Sequence, residues 1–230
     1  MRSYMREEFD AALLEIGRLL VSMAEAVRTA MSQATDALID ADLALAEGVV
    51  ARDAEVDTTY QEVERTVHQV LARQAPVASD LRTVVSALHI AGDIERMGDL
   101  ATHVARTARR RHPAPALPQE LVGVFRQMGN VADKLAGEMA TVLSAPNAAR
   151  AARMDDADDA MDALHRQLLQ VVLGPGWPHG IEPAVDAALL GRFYERYADH
   201  AVNAGRHVVY LVTGAPAGPA AAAGPAPTAI

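Results

Sequence analysis

The chain contains no cysteine. That excludes disulfides, thiolate zinc sites, iron–sulfur clusters and cysteine nucleophiles. Aromatic residues make up only 4% of the 230 residues, with a single tryptophan. A core short of aromatics and built from Ala, Val, Leu and Met suits close helix packing better than a β-sandwich. Lysine is almost absent: Lys134 stands alone, and the other basic residues are arginines. A net charge of −9 argues against a nucleic-acid partner, which calls for a basic surface. No run of about 18 or more apolar residues is present to span a bilayer. The N-terminus, Met1-Arg-Ser-Tyr-Met-Arg-Glu-Glu, places acids where a signal peptide needs an apolar stretch. These absences fit a cytoplasmic location. Also missing are G-x-S-x-G, H-E-x-x-H and P-loop patterns, so catalysis is not expected.

What the chain has in abundance is helical periodicity. Leu13, Ile16, Leu20, Met23, Val27, Ala30, Ala34 and Ala37 follow each other in steps of three and four, which makes one stripe on a helix. Glu15, Arg18, Glu25 and Arg28 are assigned to its wet side. Asp40-Ala-Asp42 reads as a stop and restart, with Asp42 as an N-cap. A second helix carries Leu45, Val49, Val56, Val63, Val67 and Val70 and ends near Gln74, before Pro76. A third runs from Ser79 to Arg111, capped by Ser79 or Asp80, and Pro113, Pro115 and Pro118 forbid its continuation. A fourth is expected from Gln119 to Leu143. A fifth, capped by Asn147, ends near Leu173. The Gly174–Gly180 breaker follows, with Trp177 as a loop anchor. A sixth helix follows Pro183 and ends near Gly214. Short connections imply antiparallel neighbours. The expected fold is all-α: two tandem three-helix bundles, residues 1–112 and 118–214, followed by a disordered Ala/Pro/Gly tail at 215–230.

The two halves share sequence. Glu95-Arg-Met-Gly-Asp99 matches Glu195-Arg-Tyr-Ala-Asp199, Ala101 matches Ala201, Arg106 matches Arg206, and His103 falls opposite Asn203. A constant offset of one domain's length is the mark of duplication. Residues one helical turn apart differ by about 40° around the axis, so Glu95, Asp99 and His103 form a row, as do Glu195, Asp199 and Asn203. Carboxylates so placed repel each other by a few tenths of a kcal/mol, and either an arginine or a bound cation can offset the cost. The middle helices add Asp53 with Asp57, and Asp158 with Asp162; Asp155 with Asp159 is an alternative frame. Neighbouring rows can converge, and carboxylate-rich sets favour hard cations such as Mg, Mn, Ca or iron. A solvated charged face is the competing reading. The repetition of the acids in both halves favours the site.

These motifs resemble those of the PhoU family. Asp93-Ile-Glu-Arg-Met-Gly-Asp-Leu-Ala-Thr-His-Val-Ala105 and Tyr194-Glu-Arg-Tyr-Ala-Asp-His-Ala-Val-Asn203 are similar to one family signature. Arg52-Asp-Ala-Glu-Val-Asp57, Asp158-Asp-Ala-Met-Asp162 and Asp80-Leu-Arg82 are similar to others. The resemblance spans about residues 5 to 214. It implies six helices in two similar bundles, metal ions bound through the acidic motifs, and no enzymatic activity. It also implies negative regulation of phosphate uptake and of the phosphate-starvation two-component response. The implied partners are the phosphate ABC transporter and a membrane sensor histidine kinase. The membrane would be reached only through them, and a homodimer is compatible with the pattern. The implied ligands are Asp53, Asp57, Glu95 and Asp99 in one half, and Asp158, Asp162, Glu195 and Asp199 in the other. The chain departs from the family where His and Asn give way to Leu100 and His103, whereas His200 and Asn203 are retained. Two other readings compete: a di-iron carboxylate oxidase, for which no Glu-x-x-His motif exists here, and a metal-free helical adaptor. Arg109-Arg-Arg-His112 reads as a solvated helix C-terminus, and Arg96 and Arg196 as partners of nearby acids.

Overall fold

The computed structural model describes residues 2–215, so the tail beyond Ala215 lies outside the described residues. Seven helices and no strand are found among them: α1 (Arg2–Asp40), α2 (Leu43–Gln74), α3 (Ser79–Arg111), α4 (Gln119–Ser144), α5 (Ala148–Ala152), α6 (Met154–Val172) and α7 (Ile181–Thr213). The all-α expectation holds, and the expected fifth helix is the pair α5–α6, which is interrupted at Arg153.

The apolar stripes are buried as their spacing requires. On α1, Ile16, Leu20, Met23, Val27, Ala34 and Ala37 are buried, while Leu13 and Ala30 pack partly exposed against them. On α2, Val49, Val56, Val63, Val67 and Val70 are buried. The α1 stripe is wider than predicted, adding Phe9, Ala24, Met31 and Leu38, because α1 packs against α2, α3 and α4 together.

The caps divide. Asp42 accepts a hydrogen bond from Leu45 N at 2.9 Å, and Asn147 accepts one from Arg150 N at 2.9 Å, both as expected of N-caps. The third helix differs: its N-cap is Ala78, at φ 50°, with no side-chain hydrogen bond. Asp80 instead sits inside the first turn and pairs with Arg6 at 2.9 Å. The last helix opens at Ile181 rather than after Pro183. Proline fits in a first turn, where its missing N–H would have no partner in any case. Trp177 anchors the preceding loop by donating to Gly180 O at 2.8 Å.

The halves meet along two seams, α1 on α4 and α3 on α7. On the first seam, Arg28 leaves the wet side assigned to it and makes two hydrogen bonds to Asp133, at 2.7 and 3.0 Å. Close approach there needs Gly129, where a Cβ would stand 2.6 Å from Thr35 Cγ2. Two buried tyrosines of α7 reach across to α1. Thr35 Oγ1 bonds to Met31 O at 2.8 Å and to Tyr194 Oη at 2.7 Å, and Tyr197 Oη donates to Val27 O at 3.1 Å. Burial pushes both phenols above their ordinary range. One apolar cluster runs unbroken through all of these helices.

Candidate functional site

Helices α2 and α3 are antiparallel neighbours, and so are α6 and α7. Each pair brings its acidic rows together. In the first half, Asp57 and Glu95 both hold their protons more tightly than free carboxyls. For Asp57 the main cause is loss of water, followed by the charges of Asp53 and Asp99. For Glu95 burial leads, Arg96 opposes it, and Asp99, Asp57 and Asp53 add to it. Four carboxylates from two helices therefore feel one another. Asp53, Asp57, Glu95 and Asp99 thus lie within electrostatic range of one another.

The second half repeats this. Burial, then the charges of Asp199, Asp162 and Asp155, push the Asp158 carboxyl up to about 6, against the opposing pull of Arg206. Glu195 is likewise raised by burial and Asp199, and is lowered by Arg192 and His165. Asp158 Oδ1 is buried without a hydrogen-bond partner, a costly state for a carboxylate oxygen. Asp155, of the alternative frame, also reaches α7, but it is exposed and paired with Arg206 at 3.0 Å. Asp158 is the α6 acid with a buried oxygen, and among the neighbouring charges that of Asp199 on α7 raises it most.

Arginines share the acids' charge. Arg96 contacts Glu95 at 3.3 Å and Asp99 at 2.9 Å, and Arg106 stands 4.0 Å from Asp53. Arg166 lies 3.7 Å from Asp162, and Arg192 pairs with Glu195. Arg196 does not take the role expected of it; it forms no ion pair with a described residue, and Arg192, one turn earlier, replaces it. With the side chains so engaged, no three His, Asp or Glu donors among the described residues surround one point as metal ligands would. The donor chemistry still suits a hard cation: oxygen-rich, mutually repelling, with one oxygen lacking any donor.

His103 and Asn203 have other partners. Asn203 donates Nδ2–H to Asp93 Oδ2 at 2.8 Å, and His200 Nδ1 bonds to Asp93 Oδ1 at 3.0 Å. Asp93 is buried on α3, so these contacts clasp the halves together at the second seam. The duplicate of Asp93 is Phe193, and His103 stacks on that ring, centroids 5.2 Å apart and planes 21° apart. Position 193 thus offers His103 a ring to stack on and no carboxylate to bind. Without a carboxylate at 193, a His and an Asn at 100 and 103 would have nothing to hold. The sequence placed Asp93 at the head of a signature but gave it no role of its own. Its signal was the repeat itself, which puts residue 93 opposite 193.

The Arg109–His112 run is also more than a solvated end. Arg110 and Arg111 both reach the buried Asp186 on α7, and Arg111 also reaches Glu182 at 2.8 Å. His112 Nδ1 lies 3.2 Å from Ala41 O. Further along the same seam, His89 and His207 stack with centroids 5.0 Å apart.

Comparison with known proteins agrees with this duplicated arrangement. Two stretches, residues 20–108 and 125–208, each match the PhoU domain. The chain is 46% identical over 211 residues to the phosphate-specific transport system accessory protein PhoU homolog 2 of Mycobacterium tuberculosis, covering 92% of this chain and 99% of that protein. It is 45% identical to PhoU homolog 1 of Mycobacterium leprae, covering 91% and 95%. The crystal structure of PhoU from Pseudomonas aeruginosa superposes with a TM-score of 0.80 at 29% identity, covering 90% of this chain and all of that one. A regulatory PhoU from Streptococcus pneumoniae gives 0.81 at 25% identity, covering 90% and 98%. With both halves matched and long relatives aligned nearly end to end, the chain belongs to the PhoU family.

Proposed function

We propose that this protein is a non-enzymatic accessory protein of phosphate-specific transport, acting as a metal-dependent negative regulator. The transport role follows its relatives, which are named as accessory proteins of that system. The metal role rests on one observation: acids from two helices converge in each half, and Asp158 Oδ1 is buried with no donor. A divalent or iron-type cation held by Asp53, Asp57, Glu95 and Asp99, and another held by Asp158, Asp162, Glu195 and Asp199, would neutralise those charges. It would also pin α2 to α3 and α6 to α7. His103 and Asn203 are left out of the ligand set because they are spent on the seam.

The stiffened helix pairs would then present a docking surface to the phosphate transporter and to a sensor histidine kinase at the cytoplasmic face of the membrane. No described helix is long and apolar enough to cross a bilayer, so membrane contact in this reading runs through the partners. The oxidase alternative finds little support. Its carboxylates belong inside a bundle, whereas the two aspartates buried among the described residues, Asp93 and Asp186, are taken by His200 and Asn203 and by Arg110 and Arg111.

Elemental analysis and calorimetric titration of metal-free protein with Mg, Mn and ferrous iron test the metal reading. The double change Asp99→Asn with Asp199→Asn is expected to remove cation-dependent stabilisation and leave helix content unchanged. Titrations identical to wild type would rule out these ligands. Affinity capture from phosphate-replete cells, read for transporter and kinase subunits, tests the partners separately.

A further inference from the structure

The duplication built two equivalent clefts, and only one of them is cationic. The first lies between α1, α2 and α3, has a volume of about 300 Å³, and is lined by Thr29, Ala30, Val49, Arg52 and Glu55 among others. The second lies between α4, α5 and α6, measures about 470 Å³, and has Lys134, Leu135, Met154, Ala157 and Ala160 in the corresponding places. Each pair is separated by the same number of residues that separates Asp53 from Asp158. The correspondence therefore comes from the repeat.

The substitutions between the clefts share one direction. Arg52 and Glu55 fill the first, and Ala157 and Ala160 hollow out the second. Thr29 becomes Lys134, the chain's one lysine, and Gly48 becomes Arg153. The first cleft is lined by Glu25, Asp53 and Glu55 against a single arginine. The second is lined by Lys134, Arg150 and Arg153 against Glu138 and Asp156. Arg150 is bound to Glu138 at 2.6 and 3.1 Å. Lys134 and Arg153 make no ion pair with any described residue, yet both act on Glu138, which they and Arg150 hold below the usual carboxylate range. Three cations thus surround one carboxylate over an apolar floor, in a chain whose net charge is −9. The volume lies in the range of small-molecule sites, about 300–1,000 Å³.

We propose that the α4–α5–α6 cleft binds a small organic anion, with its negative head between Lys134 and Arg153 and its apolar body on Leu135, Met154 and Ala157. Unpaired cations at the rim supply charge-assisted hydrogen bonds to the head, and the alanine-lined space admits the body. The site is separate from both acid clusters, and its occupant need not carry a metal.

Calorimetry on the full-length, metal-free chain tests this with three organic probes: AMP, octanoate and a naphthalene sulfonate, which differ in head group. Inorganic phosphate is the control without an apolar body. At least one organic probe is expected to bind once per chain. Its affinity should fall tenfold or more in Lys134→Ala with Arg153→Ala. It should fall as much in Ala160→Glu, which restores the sister cleft's residue, with helicity and melting unchanged. The head group that binds identifies the ligand class. The proposal is overturned if none of the three saturates, if Ala160→Glu binds as tightly as wild type, or if inorganic phosphate binds as well as the best organic probe.

Discussion

Replacing Asp158 by Asn should stabilise the metal-free protein. The carboxyl titrates at about 6 in the folded chain, against an ordinary value of about 3.9. A raised carboxylate pKa means that the folded state takes up the proton first. The penalty for ionising is therefore absent below pH 4, grows as pH rises between the two values, and is complete above about 6. Two pH units correspond to about 3 kcal/mol at most. Water still reaches part of this cluster, and screening reduces the figure to about 1–1.5 kcal/mol. For a chain of this length that amounts to about 3–5 °C in melting temperature. Thermal melts of chelator-treated wild type and Asp158→Asn at pH 7.5 measure it, and the gain should shrink towards zero at pH 4.5. A bound cation relieves the same repulsion, so adding metal should raise wild type more than the variant. A variant that melts at or below wild type at pH 7.5 would refute the claim that this carboxylate is held at a cost. Equal metal responses would remove it from the ligand set.

Other substitutions probe the seams and caps. Asp93→Ala strands His200 and Asn203 at the α3–α7 seam and should cost about 1–3 kcal/mol in urea unfolding; Asp93→Asn should recover part of it. Tyr194→Phe removes one buried hydrogen bond to Thr35, whose own proton still reaches Met31 O, so a loss of about 1 kcal/mol is expected by the same measurement. Burial, with the neighbouring His89, lowers the His207 pKa against the pull of Asp93. The unfolded chain therefore gains that proton first as pH falls through about 6.5, and stability should drop below that pH, less steeply in His207→Gln. Asp42→Ala deletes the α2 cap and should cost about 1 kcal/mol, read as a lower urea midpoint with unchanged slope.

The sequence made the helices legible because each one buries a continuous stripe. Val49, Val56, Val63, Val67 and Val70 on α2 could face only one way, and prolines and glycines left few choices of boundary. The acid rows were legible for the same reason, since i and i+4 share a face on any helix. What lay across the seams was not legible. Arg28 and Asp133 stand far apart in the chain, and periodicity says which face a residue is on but not what that face meets. His200 shows the limit: nothing local in the sequence pointed to its partner Asp93. The cap of α3 failed for a different reason. Ser79 and Asp80 are good capping residues, but the chain enters that helix one residue earlier, through Ala78 with positive φ, and Asp80 is drawn to Arg6.

The clasp at Asp93 ties the inheritance of one half to that of the other. Residue 93 is encoded in the first repeat, whereas the two side chains that hold it are encoded in the second. At the mirror position an aromatic ring faces a lone imidazole, so the two crossings are no longer interchangeable. A chimaera joining the first repeat of one relative to the second repeat of another should assemble cleanly only when the acid at 93 travels with its histidine and asparagine. A protein formed by copying one repeat twice, with an acid or a phenylalanine at both crossings, would lose one of the two kinds of contact.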